Sequence, residues 1–207
     1  MSLQDFRDNR AQEKRAAVIQ AATTLFAERG LNAVSMATLA QAAGVSTATL
    51  YRHFVDKEAV FAEVIEYLVR NVLADHPAEA EDADPVSALR SVAMRYATLL
   101  SDPMVLGLLR AVVADTDASS GFRAKLSEYG SAIFANDFEH AIAAIFAQRS
   151  PDQSLNVHQA SVELRGMLEH FTVVGGLLFN EVPGPHRLEH LVDRTLDSWH
   201  RCWGSKR

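Results

Sequence analysis

The sequence predicts an all-α protein: an amino-terminal three-helix head followed by a larger helical body, about nine helices in all. Two observations carry this. Apolar residues recur at three- and four-residue spacing along most of the chain, and no stretch shows sustained period-two alternation with β-branched enrichment. In addition, three of the six prolines, Pro85, Pro103 and Pro151, directly follow Asp84, Asp102 and Ser150. A cap side chain there satisfies a free N–H of the first turn, and proline in the next position has none to leave unpaired, so these prolines read as helix starts.

The elements follow in order. A first helix from about Arg10 to Arg29 carries the stripe Val18, Ile19, Ala22, Leu25 and Phe26, and Gly30 stops it. The stretch 34–57 reads VSMATLAQAAGVSTATLYRHFVDK. Ser35 is placed to cap a short helix with Leu39, Ala40 and Ala43 inward. Gly44 supplies a sharp turn and Val45 plugs it. Ser46 caps a second short helix anchored by Leu50 and Phe54. Val60, Phe61, Val64 and Leu68 mark a helix connecting head to body, and Leu89, Val92, Ala93, Tyr96, Leu99 and Leu100 mark the next. Met104 to Val113 is apolar on nearly every side except Arg110, which predicts a buried central helix. Phe122, Leu126, Tyr129, Ile133, Phe134, Phe138, Ile142 and Ile145 trace one long helix, and Leu164, Met167, Leu168, Phe171, Val174 and Leu178 another. The last starts near Pro185 and carries Leu188, Leu191, Val192, Leu196, Trp199 and Trp203. Asp75–Asp84 and Gln148–Asn156 read as loops. The expected division is a head at 1–57 and a body at 58–207.

Composition narrows the function. A chain of 207 residues with 48% apolar and 22% charged residues is not disordered. A single cysteine, Cys202, closes no intrachain disulfide and builds no cysteine-based zinc cluster. With no basic-then-apolar leader and no apolar run near the length of a membrane span, the expectation is a cytoplasmic protein without a membrane partner. The net charge of −6 is unevenly spread: residues 1–57 hold seven Lys/Arg against five Asp/Glu, and the remainder thirteen against twenty-one. A mildly basic head on an acidic body permits a polyanion at one end only.

Two short helices joined by a glycine-containing turn form a helix-turn-helix, whose second helix can lie in the DNA major groove. The outward side of that helix bears Thr47, Thr49, Tyr51, Arg52 and His53, none of them a core-filling choice. Hydroxyls donate to phosphate oxygens, and threonine also offers a methyl to thymine. Lys57 supplies a positive charge just beyond. Arg52 is equally placed to pair with Asp56, and His53 to support helix packing.

The runs Thr38-Leu39-Ala40, Ala43-Gly44-Val45-Ser46, Thr49-Leu50-Tyr51-Arg52-His53-Phe54 and Asp56-Lys57-Glu58 resemble the DNA-binding head of TetR-type repressors over roughly residues 10–65. By position, the resemblance implies DNA contacts from Ser35, Met36 (through its backbone), Ala37, Thr47, Ala48, Thr49, Tyr51, His53 and Lys57. Alanine at 37, where the family often has a longer polar residue, implies fewer side-chain contacts from the second helix.

The resemblance further implies a homodimer on a palindromic operator in double-stranded DNA, and a body that binds a small-molecule effector, so the expected activity is that of a ligand-released repressor. Leu191, Leu196, Trp199 and Trp203, costly to leave in water, are the expected dimerisation residues. Met94, Met104, Phe134, Phe138, Met167, His170 and Phe171 are expected to line an apolar effector pocket, with Arg95, His140 and Glu163 as further polar groups. Gly175-Gly176 inside a helical stretch implies close helix approach, a kink, or space for a ligand. His186-Arg187-Leu188-Glu189-His190 spells H-x-x-E-H, but a catalytic zinc site needs a third protein ligand, and no metal or cofactor is expected. A helical interaction module without DNA binding, or an enzyme using the apolar pocket, are the competing readings.

Overall fold

The computed structural model of the chain describes residues 3–74, 84–117, 121–126, 128, 132–149 and 156–204. The described helices are α1 (Leu3–Arg29), α2 (Met36–Ala42), α3 (Thr47–His53), α4 (Lys57–Val72), α5 (Pro85–Ser101), α6 (Pro103–Ala114), α7 (Phe122–Leu126), α8 (Ala132–Arg149), α9 (Val157–Glu169), α10 (Gly175–Leu178) and α11 (Pro185–Gly204). A π-helical turn, His170–Val174, joins α9 to α10. No strand occurs among the described residues, and no single helix there is long and apolar enough to cross a membrane.

The chain divides into two compact units. One comprises Met1–Arg70 with Gly107–Gly130, the other Asn71–Leu106 with Ser131–Arg207. The first unit therefore ends later than residue 57 and also recruits a distant segment. Its core gathers the expected stripe of α1 with Leu39, Ala40, Leu50, Phe54, Val60 and Phe61, all buried. Phe61 stacks edge-on with both Phe26 and Phe122, at 6.1 and 5.1 Å between ring centroids. α6 lies against α1 at Gly107, where an added Cβ would stand 2.8 Å from Ala27 Cβ. In the same unit Asp115, fully buried, accepts a hydrogen bond at Oδ1 from Asn32 Nδ2 (3.1 Å), and its carbonyl accepts one from Arg123.

In the second unit, Asp84 Oδ1 accepts from the N–H groups of Val86 and Ser87, and Asp102 Oδ1 from those of Met104 and Val105. Pro85 and Pro103 thus begin helices as expected, each cap stabilising its helix by about 1 kcal/mol. α9 begins at Val157, capped by Asn156. Ser150-Pro151, Tyr129, the side chain of Ile133 and most of both expected loops lie outside the described residues. The expected long helix from Phe122 is described as α7 and α8, and most residues between them lie outside the described ones. Two expectations need correcting. α6 is not buried on every side other than that of Arg110, since Val113 and Ala114 are exposed as well. Val45 is only half-buried.

The largest correction concerns α11. Trp199 is 1% exposed, and its Nε1 donates to Ala160 O at 2.9 Å. Trp203 donates to Glu163 Oε2 at 2.9 Å, and both indoles stack on Phe146, at 6.1 and 6.0 Å. Leu196 is buried as well. The cost of leaving these side chains in water, which suggested a subunit interface, is already met inside one chain. Of the four expected dimerisation residues only Leu191 stays half-buried.

Candidate nucleic-acid interface and body cavities

The helix-turn-helix is built by one device used twice. Ser35 Oγ accepts the N–H of Thr38 at 3.1 Å, and Ser46 Oγ accepts that of Thr49 at 3.1 Å. Each serine hydroxyl also lies 2.8 Å from the hydroxyl of the same threonine. Between the helices Gly44 adopts φ +66, a conformation L side chains rarely tolerate, and Val45 N–H returns to Ala40 O at 3.0 Å. Leu50 and Phe54 are buried, which fixes the rotation of α3 and turns its other side outward.

On that side Thr47, Ala48, Tyr51 and Arg52 are exposed, the Tyr51 side chain at 53%. Ser35 and Ala37 are exposed at the start of α2 and Met36 is half-buried. The Ser35 cap is spent on Thr38, so helix geometry leaves the N–H groups of Met36 and Ala37 without intrahelical partners. Thr49 is half-buried with its hydroxyl against Ser46. Arg52 has no bond to Asp56 among the described residues; Asp56 Oδ1 accepts instead from Ala59 N–H at 2.7 Å, at the start of α4.

His53 and Lys57 are more constrained than their sequence positions suggest. His53 is half-buried, and its Nε2 is buried with no hydrogen-bond partner. Burial first, then the charges of Arg52, Arg15 and Lys14, hold its pKa below the ordinary 6.5. Lys57 Nζ donates to Leu31 O at 2.7 Å and stands 5.5 Å from the centre of the Phe122 ring. Sequence reasoning passed over Lys14 and Arg15, basic neighbours of His53 on α1. Arg15 pairs with Glu63 and covers the Phe54 ring, and Lys14 is exposed. Adjacent basic residues in the otherwise weakly charged head are the signal that would have found them.

Two cavities take different members of the expected effector set. Phe134 and Phe138 are fully buried against the edges of Tyr96, at 5.3 and 5.5 Å, and belong to the core. Met94 lines a cavity of about 310 Å³, while His170 and Phe171 line another of about 150 Å³. Met104 and Met167, both half-buried, line neither. Among the polar candidates, Glu163 is taken by Trp203, Arg95 lies 3.7 Å from Asp137, and His140 is exposed. Gly175 lines the smaller cavity, and a Cβ on Gly176 would stand 2.6 Å from Leu106 Cδ1, a close approach. His186, Glu189 and His190 are exposed on the first turns of α11.

The sequence profile of bacterial regulatory proteins, tetR family, matches residues 18–64, which contain the whole helix-turn-helix. The transcriptional regulator AcrR of Shigella flexneri is 34% identical over 84 residues, 40% of this chain and 39% of that protein, so the match spans about two fifths of the relative. A TetR-family regulator from Mesorhizobium loti superimposes with TM-score 0.71 at 25% identity, over 93% of this chain and 98% of its own. The flavonoid-responsive regulator FrrA gives the same score, 0.71, at 24% identity over 91% and 96%, a likeness of fold. A head built from capped α2 and α3 around Gly44 and matched by the family profile identifies residues 18–64 as a tetR-family DNA-binding head, carried on a whole-chain fold similar to that of solved TetR-family regulators.

Proposed function

We propose that the protein is a ligand-responsive transcriptional repressor that binds a palindromic operator as a homodimer and leaves it when a small, mostly apolar effector occupies the body. The outward side of α3 carries the reading: Thr47, Ala48, Tyr51 and Arg52 stand in solvent on a helix whose Leu50 is fully buried. An aromatic ring left in water with a hydroxyl at its tip suits a phosphate oxygen, and short threonines let the helix enter the groove.

One such helix buries too little surface for specific binding. Two heads spaced about 34 Å apart, one turn of the duplex, remedy this and require a two-fold interface. Leu178 and Phe179, 73% and 68% exposed at the end of α10, together with exposed Val182 and half-buried Leu191, supply apolar surface for it in place of the buried tryptophans. The effector acts by linkage: whatever binds better to the form with misplaced heads weakens operator binding by the same factor. The fold-mate FrrA is flavonoid-responsive by name, in keeping with a small, largely apolar effector.

The test is selection of bound fragments from a genomic DNA pool by the full chain. Enrichment of an inverted repeat, with at least about tenfold weaker binding after Tyr51→Ala, is expected. No enriched fragment, or undiminished binding by the variant, overturns the reading.

A further inference from the structure

The cavity beside Met94 in the second unit combines three features that together describe an occupant. It measures about 310 Å³, within the range of roughly 300–1,000 Å³ typical of small-molecule sites. Its apolar wall includes Val72, Met94 and Leu188. Its polar lining residues are Thr98, Ser101, Asp102 and Glu189, and no cationic residue lines it among the described residues. Ser101 is only 7% exposed, yet its Oγ is buried with no hydrogen-bond partner among the described residues. A buried hydroxyl left unpaired is costly, so this one is available to a ligand.

We infer that this cavity is the effector site and that the effector is a small amphipathic cation, an apolar body bearing a protonated amine. This deepens the effector-responsive reading proposed above and rests on it. The Ser101 hydroxyl accepts a hydrogen bond from the ammonium group, and Asp102 and Glu189 supply the opposite charge. Carboxylates and phosphates meet two like charges and no counter-cation, which disfavours them. Both cap bonds of Asp102 fall on Oδ1, so the residue that caps α6 also lines the cavity. α4, which ends at Val72 of this cavity, begins at Lys57. α6, which starts beside Asp102, continues to Gly107 against Ala27. An occupant therefore touches the ends of two helices that also have residues in the head unit.

Two probes sharing one apolar body separate the charges: 4-phenylbutylamine and 4-phenylbutyrate, titrated calorimetrically into the full chain at millimolar concentration and then into its complex with selected DNA. The amine is expected to bind and to release DNA, and the carboxylate to do neither. Ser101→Ala, which removes an unpartnered hydroxyl and so leaves the unfolding midpoint in place, weakens the amine about tenfold, and exposed Glu189→Gln weakens it severalfold. Equal binding of both probes, binding of neither, or unchanged amine affinity in both variants overturns this inference. DNA release by other compounds under those outcomes leaves the repressor reading intact. Failure to bind any DNA removes that reading itself, whatever the amine does.

Discussion

Lys57 Nζ donates to the carbonyl oxygen of Leu31 at 2.7 Å, twenty-six residues back along the chain, while lying over the ring of Phe122. The lysine at the position expected to meet a phosphate is therefore also a strap on the loop that precedes α2. An ammonium has three donors, and Leu31 takes one. Lys57→Met keeps the aliphatic stem and removes the charge. Salt-dependent anisotropy with selected DNA should show the slope of log K against log salt falling by about two for the dimer, one per head. Stability should drop by about 1 kcal/mol from the lost hydrogen bond. An unchanged slope with the stability loss alone means that the residue is a strap and nothing more.

The head was legible because its determinants are local. Ser35, Gly44 and Ser46 act over three or four residues, so one pass along the chain finds them. Long-range pairings leave no such mark. Asp115 is one acidic residue in an apolar stretch, and its partner Asn32 is eighty-three residues upstream, so nothing local assigns 107–126 to the head unit. The stripe on α11 showed that Trp199 and Trp203 must be covered, not by what. The cover is Phe146 with Ala160 and Glu163. The cavity was half-legible: Met94 was expected, but Ser101 and Asp102 signal only a helix end and a cap until Leu188 is brought beside them.

Phe179 is the most testable member of the proposed pairing face, because its ring is 68% exposed and its replacement disturbs little of the chain's own core. Phe179→Glu places a charge where two copies are expected to meet. Sedimentation should show a monomer with unchanged helical content, and operator affinity should fall at least about a hundredfold as paired half-sites are lost. A dimeric variant that binds DNA normally removes this face from consideration.

Gly107 sits where α6 touches α1, with Ala27 Cα and O both 3.3 Å from the position a Cβ would take. Alanine gains about 1 kcal/mol of helix propensity, but separating two packed backbones costs 1–3 kcal/mol. The net expected for Gly107→Ala is a loss of about 1 kcal/mol in urea unfolding. Ala27→Gly in the same chain should restore most of it, because it empties the volume that the new methyl needs. Failure of that rescue shows that the contact is not the cause.

His53 has a folded-state pKa below 6.5, chiefly from burial and then from Arg52, Arg15 and Lys14. As pH falls below 6.5 the unfolded chain takes the proton first, so this stabilising contribution is present above 6.5 and disappears in acid. His53→Gln should flatten the acid side of the stability profile. On DNA a nearby phosphate favours the protonated ring. Where His53 meets one, operator binding takes up a proton and tightens as pH falls on the acid side, and the variant loses that dependence. Anisotropy across the pH range, with both proteins, measures it.

Tyr96 buries its ring between Phe134 and Phe138 and donates its hydroxyl to Glu169 Oε1 at 2.5 Å. Burial, and then the carboxylate it serves, push the phenol well above the usual tyrosine range. Tyrosinate is thus disfavoured in the folded protein, and stability is complete below the ordinary value near 10 and falls as pH rises beyond it. Tyr96→Phe removes the donor and leaves Glu169 half-buried without it, for an expected loss of about 1–3 kcal/mol at neutral pH. The variant should show a shallower alkaline decline than the parent, since its extra ionisation on unfolding is gone. Phenolate absorbance titrated to about pH 11, still on folded protein, should be the same for both, because Tyr96 does not ionise there. A smaller amplitude in the variant shows that the phenol titrates normally and that the bond to Glu169 is not holding its proton.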